Sequence, residues 1–127
     1  MLLSDICEKL LDNADMSLSY DAESGEITIE FYPASGGVIF FYCKDFSRLN
    51  FRKSPEDIDC IFVGQTRVTI KEEDSSIRKL YIEDCWQNNQ KILEPVAHIE
   101  IDGGSMLSIV CQKFRWKKDN GEIQIVL

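Results

Sequence analysis

The side chains in this sequence that could carry chemistry are one histidine, five cysteines and several charged stretches. His98 sits in Ala97-His98-Ile99-Glu100-Ile101. Apolar and polar residues alternate there, so His98 points away from Ala97, Ile99 and Ile101, toward solvent or a second layer. To act as a general base it needs a nucleophile on one ring nitrogen and an orienting acid on the other. Cys85, Cys111 and several acids are available, but no G-x-S-x-G or comparable setting fixes a nucleophile beside it. A surface or hydrogen-bonded strand histidine is the simpler reading, and no catalytic residue is assigned.

Cys7, Cys43, Cys60, Cys85 and Cys111 are odd in number, scattered and without a C-x-x-C pair. A structural zinc needs about four soft ligands in close pairs, which one histidine and these cysteines do not supply. Glu72-Glu73-Asp74 and the Asp57/Asp59 pair lack the spacing of a calcium loop. The glycine doublets Gly36-Gly37 and Gly103-Gly104 belong to no phosphate-binding pattern and read as turns. The expectation is no metal, no cofactor, and thiols that serve as small apolar residues.

The charge pattern is more informative. Formal net charge is -8, and residues 1–30 hold eight acids against the single base Lys9. The remainder is close to neutral. Asp5, Glu8, Asp12, Asp15, Glu26 and Glu30 are therefore candidate contacts for a basic protein partner. The plainer role of such charge is solubility. Lys113, Arg115 and Lys117 form a basic stripe at period two, with Phe114 and Trp116 turned to the other side. A nucleic-acid surface needs bases and aromatics together. Here the aromatics are expected to enter the core, so nucleic acid is set aside and the stripe is expected to face acids of this chain or of a second copy.

These residues need elements to hold them. Leu3, Ile6, Cys7, Leu10, Leu11 and Ala14 make an apolar stripe at helical spacing, which predicts a helix over 3–14 with Ser4 as its cap. From Ser17 the period becomes two. Leu18 and Tyr20 begin it, Asp21 to Gly25 supplies a turn, and Ile27, Ile29 and Phe31 alternate with Glu26, Thr28 and Glu30. Val38 to Cys43 is apolar on both faces and reads as a central strand. Phe46 to Arg52 follows with Leu49 and Phe51 as its apolar face. Cys60 to Val63 and Arg67 to Lys71 read as two strands, or as one broken at Gly64, where glycine marks a bulge. Lys79 to Asp84 alternates again. The last third predicts a meander: 97–101, a turn at Asp102-Gly103-Gly104-Ser105, a long strand over 106–116, the Asp119-Asn120-Gly121 turn and a closing strand.

The chain of 127 residues is expected to form a single domain over 1–127. The fold class is mainly β (α+β): an antiparallel two-layer sandwich, or a rolled sheet, of about nine strands with one N-terminal α-helix. The longest apolar run is far short of the ~20 residues of a membrane helix. Met1-Leu2-Leu3-Ser4-Asp5 does not read as a secretory leader. A soluble cytoplasmic protein is expected. Its expected function is that of a small acidic interaction module, of the immunity- or regulator-protein kind, binding a basic partner. The alternative is a small apolar ligand held inside a rolled sheet by Phe31, Phe40, Tyr42, Phe62, Tyr81 and Trp116.

Overall fold

In a computed structural model, residues 2–56, 61–71 and 95–127 are described. The expected strand at 79–84, together with Cys60, Tyr81 and Cys85, lies outside them. The described residues form one antiparallel sheet: β1 (Asp15–Asp21), β2 (Glu26–Tyr32), β3 (Ile39–Arg52), β4 (Ile61–Phe62), β5 (Gln65–Lys71), β6 (Val96–Asp102), β7 (Met106–Lys118) and β8 (Gln124–Ile125). The order is β4-β1-β2-β3-β7-β6-β5, with β8 on the second half of β7. Of the two expected architectures, this is the rolled sheet: a strongly curled, open half-barrel of eight strands.

The curl brings the two ends of the sheet together on one stretch of chain. β4 pairs with β1 and β5 pairs with β6, and only Val63 and Gly64 separate β4 from β5. Val63 donates to the Ala14 carbonyl and accepts from the Asn13 N–H, while Gly64 donates to the Asp102 carbonyl. Backbone crosses backbone so closely here that side chains do not fit. A Cβ on Gly103 would lie 2.4 Å from the Gly64 nitrogen and 2.5 Å from the Phe62 oxygen. Gly64 thus does interrupt a strand pattern, and the reason is the close approach of β6 and its turn.

Alternation decides what enters the core. Ile27, Ile29 and Phe31 of β2, Ile39, Phe41 and Cys43 of β3, and Ala97, Ile99 and Ile101 of β6 all face inward and are buried. β7 changes phase along its length. Leu107, Ile109 and Cys111 face inward in its first half, and Phe114 and Trp116 in its second. β3 matches this with a register shift between Phe46 and Arg48, a bulge that re-aims the strand. The rings of Phe31 and Phe114 meet Phe41 edge-on at 4.8 Å and 5.1 Å, so aromatics fill the centre of the half-barrel.

The N-terminal helix is shorter than its sequence stripe. One α-helical turn, α1 (Leu3–Asp5), runs into a π turn at Ile6–Leu10. Leu2, and not Ser4, is the N-cap, and no side-chain cap bond forms. The Leu11 N–H reaches back five residues to the Ile6 carbonyl. Asn13 then takes a left-handed φ of 63°, which turns the chain into β1 and lets Asn13 and Ala14 bond Val63. So short a helix is marginal on propensity alone, and tertiary contacts set its end. Its stripe still enters the core: Ile6, Leu11 and Ala14 are buried, with Leu3, Cys7 and Leu10 packed against them.

The meander has the expected order, but its last strand is the two-residue β8, which leaves Ile123 and Ile125 exposed. Gly104 supplies φ of 104° in the β6–β7 turn. After β7, Asp119 accepts the Val38 N–H on its carboxylate at 2.8 Å and donates its own N–H to the Val38 carbonyl at 2.7 Å.

Candidate functional site

Two polar regions lie on the face of the sheet turned away from the core. The first is the β1–β2 hairpin. Its register pairs Asp15 with Tyr32, Ser17 with Glu30, Ser19 with Thr28 and Asp21 with Glu26. Because Met16, Ile27, Ile29 and Phe31 face inward, the alternate residues Asp15, Asp21, Glu26 and Glu30 share the outer face. The chain holds no Lys, Arg or His between Lys9 and Lys44, so neither strand supplies a base. Like charges directly opposite each other, as at Asp21 and Glu26, work against strand pairing. Part of this charge is used locally. Arg115 reaches across β3 to Glu26 at 2.7 Å, Tyr32 donates its hydroxyl to Glu30, and Asp21 accepts the Glu23 N–H in the turn. Tyr32 stays exposed among these acids, while Tyr20, also exposed, lies on the opposite face with its ring edge-on to Phe46 at 5.8 Å.

The structure therefore divides the six predicted contact residues. Asp15, Glu26 and Glu30 come together on the hairpin, joined by Asp21, which was not among them. Asp5, Glu8 and Asp12 stand on the helical segment and its end; Asp5 pairs with Lys9 at 3.6 Å. Beside Glu8, burial pushes the Cys7 thiol up to about 11, with the Glu8 charge adding to the effect. The hydrogen bond with Cys111, and after it burial, raise Cys43. Neither thiol is set up as a thiolate nucleophile.

The basic stripe does meet this acidic region, through Arg115. Phe114 and Trp116 enter the core as expected, but β3 places other aromatics beside the bases. Tyr42 pairs with Arg115 and Phe40 with Lys117. The two rings lie parallel, with Arg115 5.2 Å from the Tyr42 centroid and Lys117 4.9 Å from that of Phe40. The cations thus cover ring faces that a nucleobase would need.

The second region is a ladder across β5, β6, β7 and β3. One row reads Thr69, His98, Val110, Arg48, and the next reads Arg67, Glu100, Ser108, Asn50. His98 and Glu100 are two apart on β6 and share a face. Ser108 stands opposite Glu100 and diagonal to His98. The His98 Nε2 lies 2.8 Å from the Ser108 oxygen, and its Nδ1 lies 3.7 Å from Glu100. Arg67 holds the other Glu100 oxygen at 3.3 Å and also reaches Gln65. His98 is only 8% exposed. Burial is the main cause that lowers its pKa; Arg48 and Arg67 add to it, and Glu100 opposes it. A cleft of about 250 Å³ opens beside this row, lined by Asn50, Arg52, Arg67, Glu100, Asp102 and Ser108 among others.

Ser108 and the arginines of this ladder were missed in the sequence. The alternation 97–101 shows that His98 and Glu100 share a face, but only the β6–β7 register brings Ser108 to them. Among the described residues no group of three or more His, Cys, Asp or Glu is placed to hold a metal ion, and no helix is long and apolar enough to cross a membrane. Compared with known proteins, the sequence matches no family model and no curated protein.

Proposed function

We propose that this protein is an acidic interaction module whose β1–β2 hairpin docks a basic protein partner. The observation that carries this reading is the shared outer face of Asp15, Asp21, Glu26 and Glu30 in a stretch without a base. Such a surface draws a positively charged partner by long-range attraction and sets its orientation. Tyr32, exposed on the same face, is the residue type that anchors interfaces. An immunity-like or regulator-like role, neutralising the partner by covering its basic surface, fits this chemistry. The apolar-ligand alternative draws less support, because Phe31, Phe41 and Phe114 fill the interior while Phe40 and Tyr42 lie outside it.

The test is site-specific photo-crosslinking from Ser19, which is exposed on the hairpin face between Ser17 and Asp21. The captured protein is then purified and titrated by calorimetry against wild type and against Asp15→Lys/Asp21→Lys/Glu30→Lys. The expected result is a basic protein whose affinity falls about tenfold or more in the variant, as loss of complementary charge requires. A captured protein with equal affinity for both would overturn the reading.

A further inference from the structure

Away from the hairpin, the ladder brings three groups into an order that carries its own chemistry. We propose that Ser108 is a nucleophile toward small carboxylic esters, with His98 as its general base and Glu100 as the residue that positions His98. This goes beyond the docking role and does not depend on it.

The arrangement is built around one imidazole. The Ser108 oxygen meets Nε2 at 2.8 Å, and Glu100 stands at Nδ1 at 3.7 Å. Nucleophile, base and acid thus follow one another as acyl transfer requires. Glu100 is itself fixed by Arg67 at 3.3 Å, and all three sit on paired strands. His98 is nearly buried, whereas Ser108 lines the cleft of about 250 Å³. The base is shielded and the nucleophile is open to a small molecule. Asn50 and Arg52 line the same cleft, and both side chains carry N–H donors. Their N–H groups are available for a developing oxyanion.

The step balances as follows. The Ser108 oxygen bonds to the ester carbonyl carbon as its proton passes to His98 Nε2. The carbonyl electron pair moves onto oxygen, facing Asn50 and Arg52. Collapse breaks the bond to the alcohol oxygen, and the alcohol leaves with the proton from His98. Water then attacks the acyl-serine through the same base, releasing the carboxylic acid and restoring Ser108.

Among the described residues, the groups facing His98 are Glu100 on its own strand, Thr69 and Arg67 on β5, Ser108 and Val110 on β7, and Arg48 on β3. Burial and the two arginines keep the ring neutral, so the nucleophile should remain active down to below the ordinary histidine value of 6.5.

The experiment exposes the full chain to a fluorophosphonate, which loses fluoride as its phosphorus bonds to an activated serine oxygen. The adduct is located by peptide mass spectrometry. The expected outcome is a single adduct on Ser108, absent in Ser108→Ala and formed about a hundredfold or more slowly in His98→Asn. Glu100→Gln should move the pH midpoint of labelling downward, because the carboxylate raises the His98 pKa; a merely structural role would leave that midpoint in place. Hydrolysis of p-nitrophenyl acetate should follow the same order. No adduct on Ser108, adducts spread over several serines, or a rate indifferent to His98→Asn would overturn the proposal. Circular dichroism checks the fold of each variant. Where Ser108→Ala does not fold, Ser108→Cys decides: its thiol should alkylate faster than free cysteine only while His98 is present, and an equal rate counts against the site.

Discussion

The outer face of the sheet treats charge in two ways. On the β5–β6–β7 ladder, Glu100 is matched by Arg67 on the neighbouring strand and His98 by Ser108, and the imidazole is nearly buried. On the β1–β2 hairpin, Asp15 and Asp21 are exposed and neither strand carries a base. Glu26 is met by a cation from elsewhere in the sheet, Arg115. A group held out of water needs a partner, because an unpaired buried polar atom costs about 1–3 kcal/mol. An exposed carboxylate is already satisfied by water. The ladder is therefore constrained by folding, while the exposed charges of the hairpin stand where a partner can reach them.

The largest effect should come from the wall that both regions share. Phe41 lies on β3 between β2 and β7, with Phe31 and Phe114 against its ring. Phe41→Ala should lose about 3–5 kcal/mol in denaturant unfolding. Amide exchange in β2 and β7 should rise together; a rise confined to one would mean that the two regions unfold separately. A smaller effect separates them. Ser108→Ala removes the partner of a nearly buried imidazole nitrogen and should cost about 1 kcal/mol. Asp21→Asn on the hairpin, which keeps an oxygen for the Glu23 N–H, should stay within about 0.5 kcal/mol of wild type. Equal losses in thermal unfolding would erase the distinction.

The smallest effect is a pH slope. His98 has a folded-state pKa below its ordinary 6.5, so the unfolded chain takes up the proton first as pH falls. Stability from this group is present above 6.5 and declines as pH drops from there toward the lower folded value. His98→Gln should flatten that part of the curve, and the hairpin variant should leave it in place.

Much of the fold can be read from the chain. The alternation of 26–31 gives the inner and outer faces of the hairpin, and Asp102-Gly103-Gly104-Ser105 and Asp119-Asn120-Gly121 give the turns of the meander. What is missed depends on three-dimensional register. The stripe over 3–14 overstates the helix, because Asn13 and Ala14 are drawn into backbone hydrogen bonds with Val63. The curl that makes a half-barrel instead of a sandwich rests on the Gly64–Gly103 approach, and each glycine alone reads as an ordinary bulge or turn. Phe114 and Trp116 were placed correctly, but the aromatics beside the basic stripe come from β3, which the sequence of β7 does not reveal. The same limit hides Ser108, whose distance from His98 along the chain says nothing until β6 and β7 are paired.

The most direct test compares the salt dependence of partner affinity in wild type, in Asp15→Lys/Asp21→Lys/Glu30→Lys and in Ser108→Ala. The account predicts a binding constant that weakens as salt rises in wild type and in Ser108→Ala alike, with most of that dependence gone in the hairpin variant. Affinity that ignores both salt and the hairpin charges, or that falls equally in Ser108→Ala, would contradict it.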